Sequence, residues 1–445
     1  MRIPSDISYH RVEDKIFVHS VDTQRNYLLD GDAEEILNYV AANPDCSCSE
    51  LVEFFATQYD AEEAEEIRSF LNESIRTLLE EKILTETDQY EDSESSSIIE
   101  EVEETFLENN RLFSMTLELT YRCVEKCVHC YIDDLKPFCV KAETTTDEWK
   151  NILRQARQMG CVKVLLSGGE VLLRPDLCDI AEYAVNLGLI VDVYTTGIGL
   201  TDEIFDRLCA AKVNSVSFSL YGNDAASHDA ITGVRGSFEK TLKAMLMFKS
   251  AGVGTFIKSV AIRQNFDALE GLYKLGKRLK IKVSVSTQIC SGREWKRAED
   301  YRLGNAKLYE KYFTLDGKYR KLKISKPTDA EREEIRKRYP CSAGLNSMHI
   351  NPYGEVFPCT HFQNSVGNAR KETLENLWSK VNTEARGKLT AIRDLTPACK
   401  ECAYVEFCHM CLAELEREDK NFRSCGNVLV EAKAAARAYY KQEVD

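Results

Sequence analysis

The chain has 445 residues, 44% of them hydrophobic, with 58 Lys and Arg against 72 Asp and Glu for a net charge of -14. At about 150 residues per domain this is two to four domains, and no apolar run is long enough to span a bilayer. The acidic balance disfavours a phosphate backbone as partner, so neither nucleic acid nor membrane is expected. MRIPSDISYH shows no basic region followed by an apolar one, so no export signal is expected and a cytoplasmic location is. Seventeen cysteines in such a chain point to metal binding rather than disulfides.

Residues 1–87 read as a small unit. Alternating runs at Tyr9–Val12, Ile16–Val21 and Asn26–Leu29 predict an antiparallel sheet. Three helices follow: Asp32–Ala42 with Ile36, Leu37 and Val40 inward, Ser49–Gln58 capped by Ser49, and Ala61–Lys82 with Ile67, Phe70, Leu71, Ile75 and Leu78 on one stripe. The order is winged-helix-like, but Ala61–Glu66 is acidic where a DNA-reading helix would be basic. Residues 88–112 form an acidic linker: Asp88–Glu108 holds nine acidic residues, Ser95 to Ser97 and no Lys or Arg, and is expected to be a mobile tether.

From residue 113 to 300, β-prone runs at Ser114–Leu119, Val162–Ser167, Ile190–Thr195, Ser215–Leu220, Thr255–Ile262 and Lys282–Gln288 alternate with helical stretches such as Asp147–Gln158 and Asp202–Ala211. About six βα units imply a parallel sheet covered by helices, a partial (β/α)6 barrel with chemistry at the carboxyl ends of its strands. The first strand delivers Cys123, Cys127 and Cys130, spaced CxxxCxxC, onto one loop ending in Tyr131. Thiolates at this spacing suit zinc or an iron–sulfur cluster, and three ligands fit a cubane with one iron left open. After a bridging region (301–340), residues 341–445 contain a second constellation: Cys341, Cys359, Cys399, Cys402, Cys408, Cys411 and Cys425. Zinc could fill one tetrahedral site there and leave three cysteines over.

The CxxxCxxC loop on a βα repeat resembles the radical S-adenosylmethionine (SAM) enzymes. The resemblance implies a 4Fe-4S cluster on Cys123, Cys127 and Cys130 whose open iron chelates SAM. Ser167-Gly168-Gly169-Glu170 resembles the family's GGE motif, the glycines admitting SAM's methionine part and Glu170 accepting from its ammonium. By position, Ser219 meets the ribose or carboxylate, Thr195, Thr196 and Gly197 line the cavity, Tyr131 lies near the adenine, and Lys258 and Arg263 are candidates for the SAM carboxylate. His228-Asp229 with Gly233–Phe238 resembles a loop common in the family, with no role derivable from sequence. The second constellation resembles the SPASM domain, departing from it by having two residues between Cys408 and Cys411 where three are more usual. The resemblance implies two auxiliary 4Fe-4S clusters, one on Cys341, Cys359 and Cys411 and one on Cys399, Cys402, Cys408 and Cys425. Seven thiolates for eight irons leave one iron for a substrate thiol unless Cys290 takes it, with His349, His361 and His409 as weaker competitors.

The amino-terminal unit is similar in pattern to a RiPP recognition element, in which a leader peptide adds a strand to the sheet edge; a plain structural cap is the alternative. Together these features imply a peptide-modifying radical SAM enzyme resembling the sactipeptide and ranthipeptide thioether maturases. Three clusters, SAM, a ribosomally made precursor peptide and an electron donor such as flavodoxin or ferredoxin are implied. The same architecture forms carbon–carbon or carbon–oxygen links or makes other oxidative changes, and a zinc-binding interaction protein is the non-enzymatic alternative.

Overall fold

A computed structural model describes the chain except residues 2, 4–6, 13, 21–25, 32, 44–45, 60, 82, 85–96, 133–141, 290–299, 323, 363, 389–393, 395–396, 412, 414–424 and 441–445. Cys290 and Cys139 lie outside the described residues.

The amino-terminal unit is a three-stranded antiparallel sheet, β1 (Ile7–Val12), β2 (Lys15–Ser20) and β3 (Asn26–Asp30), followed by α1 (Ala33–Ala42), α2 (Cys48–Ala56) and α3 (Ala61–Glu80). Ile16 and Val18 on one face of β2 meet Ile36, Leu37, Val40, Leu51, Leu71, Ile75 and Leu78 in a closed core. Two expectations need correction. The cap of α2 is Ser47 rather than Ser49: its side chain accepts from Glu50 N while Glu50 accepts from Ser47 N, a reciprocal box. Phe70 is not part of the inward stripe but 49% exposed.

The acidic stretch is also more than a tether. Its described part forms α4 (Ser97–Glu108), with Val102 and Phe106, one turn apart, fully buried. These two, with Val12 and Phe17 of the small sheet and Phe113, Val162 and Ile190, make a separate apolar cluster. Since Phe113 and Val162 directly precede their barrel strands and Ile190 begins one, the small unit is seated on the amino-terminal rim of the barrel.

Six parallel strands follow in spatial order: β4 (Ser114–Thr120), β5 (Lys163–Gly168), β6 (Ile190–Thr195), β7 (Ser215–Ser219), β8 (Gly254–Val260) and β9 (Lys282–Ser286). Met115, Leu117, Leu119, Val164, Leu166, Val191, Val193, Val216, Phe218 and Ile257 face the helical layer of α5 (Thr146–Gln158), α6 (Leu177–Asn186), α7 (Asp202–Ala210), α9 (Ser237–Ser250) and α10 (Leu269–Leu279). The short α8 (Ala225–Thr232) precedes α9. Period two puts Glu118, Thr120, Ser167, Asp192, Tyr194, Ser217, Ser219 and Lys258 on the opposite, interior face.

The sheet does not end at β4. β10 (Ser347–Ile350) pairs with it in parallel, and β11 (Glu355–Phe357) and β12 (Gly367–Asn368) continue antiparallel, giving nine strands in one sheet. The cysteine-rich region is therefore fused to the barrel through backbone hydrogen bonds. At the other side, α11 (Ala306–Arg320) packs against the carboxyl-terminal helix α14 (Gly426–Tyr440) around Tyr309, Phe313 and Ala435, with α12 (Asp329–Lys337) and α13 (Leu374–Lys388) between them in sequence.

Candidate active site

The Cys123–Cys130 loop leaves the carboxyl end of β4. Burial pushes the Cys127 thiol up first, and then Glu125, whose Oε2 lies 3.3 Å from Sγ, and the thiols of Cys130 and Cys123 push it further. Thiols that raise one another in this way are close together. A positively charged metal core reverses that repulsion by favouring the thiolates. Among the described residues no three such side chains converge on one ion-sized point, so the fit rests on donor type and proximity.

The loop is held from the side by α8. Lys126 N donates to Thr232 O (2.8 Å) and Val128 N to Ile231 O (3.0 Å), using carbonyls that the helix end leaves over. Gly233 caps α8 with φ 68°, a left-handed conformation that favours glycine, and a side chain there would crowd Lys126 O. Asp229 fixes the next turn by accepting from Gly236 N (2.6 Å), Ser237 Oγ (2.8 Å) and Phe238 N (2.9 Å). His228 Nδ1 accepts from Tyr221 N (3.1 Å), and the Tyr221 ring meets His129 of the loop edge-on at 4.7 Å. The His-Asp and GVRGSF elements thus form the platform of the cysteine loop, a role not legible in sequence because the direct hold on the loop runs through the backbone carbonyls of Ile231 and Thr232.

From the other side the loop is held by the β5 terminus. Gly169 N donates to Thr120 O and Glu170 N to Arg122 O, both at 2.8 Å. A Cβ on Gly168 would collide with Thr120 O, and one on Gly169 with Arg122 O and Tyr121 O. These glycines therefore admit the entry of the cysteine loop to close backbone contact. Glu170 follows these glycines at the end of β5. It is fully buried, and its oxygens accept from Leu172 N (2.9 Å), Thr195 Oγ1 (2.6 Å), Thr196 N (2.7 Å) and Thr196 Oγ1. Burial pushes its carboxyl up and these bonds oppose that. The side chain ties β5 to β6.

The remaining candidates are spread around the same rim. Ser167 pairs with Glu118 in the β4–β5 ladder, and Ser219 with Lys258 in the β7–β8 ladder. Lys258 is half-buried with Nζ 5.7 Å from the Tyr194 ring centre; burial lowers its pKa and Asp192 counters this. Arg263 lies in the 3-10 turn after β8, exposed, its guanidinium against Gly304. Tyr131 packs with Tyr121, Ile132 and Tyr353, and its hydroxyl donates to Glu118. Glu118 carried no signal beyond being the one charge in a strand of apolar and hydroxyl residues.

In the cysteine-rich region the seven thiols lie in two neighbourhoods that share Cys341. The Cys408 thiol is pushed up to about 11, by burial first and also by Cys399, Cys402 and Cys425; Cys425 in turn senses Cys399 and Cys402. Cys341, Cys359 and Cys411 pack around Ala343, Phe362 and Ala413, and Cys341 also packs on the cluster that holds Cys399, beside Cys408 and Cys425. His361 is the histidine beside the first three: its Nδ1 lies 3.7 Å from Cys411 Sγ and its backbone N donates to Cys359 Sγ at 3.4 Å.

Residues 117–276 match the radical SAM superfamily and residues 341–412 the iron–sulfur cluster-binding SPASM domain. An AdoMet-dependent heme synthase of Methanosarcina barkeri is 31% identical over 320 residues, covering 66% of this chain and 90% of that protein. The PqqA peptide cyclase of Rhizobium meliloti is 27% identical, over 60% of this chain and 74% of that protein. Among solved structures, Streptococcus suis SuiB bound to its precursor peptide SuiA superposes with a TM-score of 0.63 over 96% of this chain and 99% of SuiB, at 19% identity, a likeness of fold. The chain belongs to the radical SAM superfamily. More particularly, it is a member that carries an iron–sulfur cluster-binding SPASM domain. No described helix is long and apolar enough to cross a membrane.

Proposed function

We propose that the protein is a peptide maturase that joins cysteine sulfur to carbon in a ribosomally made precursor. When bound, the loop cluster and SAM supply a 5'-deoxyadenosyl radical that removes a hydrogen atom from the target carbon. Cys123, Cys127 and Cys130 hold that cluster, and α8 and the β5 terminus keep their loop in place. Cys399, Cys402, Cys408 and Cys425 would hold one auxiliary cluster; Cys341, Cys359 and Cys411 would hold the other and leave a position for the substrate thiolate, whose proton passes to solvent, and the electron left over when sulfur joins the carbon radical would pass to the auxiliary clusters. Flavodoxin or ferredoxin is the proposed electron donor.

What supports this reading is the set of seven cysteines between Cys341 and Cys425, one short of the eight that two cubanes could take. The small sheet supports a peptide substrate. Its β1 edge is occupied by the barrel: Arg157 reaches His10 Nδ1 (2.7 Å) and Tyr9 O (3.3 Å), and His10 Nε2 lies 3.1 Å from Gly188 O. The outer edge of β3 pairs with no strand among the described residues, which leaves it to a leader peptide by strand addition. SuiB was solved with its precursor peptide.

The test is Cys341→Ala with the other clusters verified by Mössbauer and EPR spectroscopy. Loss of the thioether is expected, and crosslinking at the normal rate would refute the assignment. The second reading, a carbon–carbon or carbon–oxygen link, is favoured if His361 fills the remaining position beside Cys411.

A further inference from the structure

Glu118 is a carboxylate on the interior face of β4, 1% exposed. Three polar side chains from three places surround it. Tyr121 Oη donates to Oε2 at 2.9 Å from the entry of the cysteine loop, and Tyr131 Oη donates to Oε1 from the residue after Cys130. His349 Nε2 lies 2.9 Å from Oε2, within ion-pair distance though off the line of an ideal hydrogen bond. His349 is itself buried on β10, the strand that joins the auxiliary domain to the barrel, and its ring stacks on Phe357 of β11 at 5.5 Å. Tyr121 meets the Tyr353 ring edge-on at 5.7 Å, in the turn between those strands.

Enclosing a carboxylate costs several kcal/mol unless its partners compensate. Burial, the largest influence on Glu118, pushes its pKa up, and His349, Tyr131 and Tyr121 together bring it below the ordinary value. A carboxylate so engaged is a poor base. It is well suited to fixing the groups that donate to it.

We propose that Glu118 and His349 are positioning residues that lock the Tyr131 ring, and with it the Cys130 end of the cluster loop, to the first strand of the auxiliary domain. Productive use of SAM then depends on how that domain is registered against the barrel. The inference rests on the loop being the SAM site and is independent of which bond the enzyme forms.

The experiment uses the reconstituted full-length enzyme and Glu118→Gln, His349→Phe, Tyr131→Phe and the double variant E118Q/Y131F. Read-outs are iron and sulfide content, the change in the EPR signal of the reduced cluster on adding SAM, and 5'-deoxyadenosine released per peptide modified. Each single variant is expected to retain its iron and to weaken the SAM-dependent EPR change. Unproductive SAM cleavage per product should rise roughly tenfold, as when a charge-assisted contact to a positioning group is lost. The double variant is expected to be no worse than E118Q alone. Unchanged EPR response and coupling ratio in Y131F and H349F would overturn the proposal, and so would additive effects in the double variant. So would an E118Q enzyme that loses iron while H349F and Y131F behave normally, since that places Glu118 in folding alone. Absence of any SAM-dependent change in the unsubstituted enzyme would instead reject the SAM-site assignment.

Discussion

Asp229 has no assigned ligand or substrate contact, but three donors of the turn before α9 close on it, and the adjacent helix end carries the cysteine loop. Asp229→Ala is expected to cost about 1–2 kcal/mol, as for a lost capping acceptor, and to lower the iron retained after anaerobic desalting. Unchanged melting temperature and iron would show that the platform is redundant. His10 supplies a pH-dependent term. Burial first, then Arg157, lowers its pKa to about 3 in the docked state, against about 6.5 when exposed. The undocked state therefore takes up a proton as pH falls below about 6.5, and the docked state does so only near 3. Docking is at full strength above about 6.5 and weakens by up to about 1.4 kcal/mol for each pH unit below it. Thermal melts at pH 7.5 and 5.5 should show this loss, and His10→Gln should flatten it; an equal slope in the variant would remove His10 as the cause.

Helix α4 decides how the amino-terminal unit is carried. Phe106→Ala empties a fully buried position, at a cost of about 3–5 kcal/mol. It is expected to make the small unit separable by limited proteolysis and to slow turnover of a full precursor, while SAM cleavage without peptide persists. Resistance to protease equal to that of the unsubstituted chain would mean that the unit is held by other contacts. The helix was not legible in sequence because nine acidic residues in Asp88–Glu108 read as a solvated tether, and two apolar side chains four residues apart are enough to seat it. The barrel strands were legible almost to the residue, because their alternation of apolar and polar positions is long and repeated. The β10–β12 extension was not: strands of four, three and two residues carry no period. The Glu118 cluster was not, since His349 reaches Glu118 only through the pairing of β10 with β4, and Tyr121 and Tyr131 only through the fold of the cysteine loop.

For the molecule as a whole, the small sheet sits at one end of the barrel and the cysteine loop at the other. Barrel strands of up to seven residues rise about 3.3 Å per residue, so roughly 20 Å separate the two rims. On the proposed reading, a leader held on β3 would impose a minimum spacing on the substrate. Precursors with fewer than about six residues between the leader contact and the modified site should go unmodified, and mass spectrometry of a spacer-deletion series would show the cutoff; modification at zero spacing would mean the leader is held elsewhere or released first. The central claim, sulfur-to-carbon bond formation, is tested most directly by the intact mass of a cysteine-containing peptide encoded beside this gene. The peptide is incubated anaerobically with enzyme, SAM and reductant, then alkylated. Loss of a hydrogen pair together with loss of an alkylatable cysteine is the expected result. Loss of hydrogens with every cysteine still alkylated would contradict the claim and assign a carbon–carbon or carbon–oxygen crosslink instead.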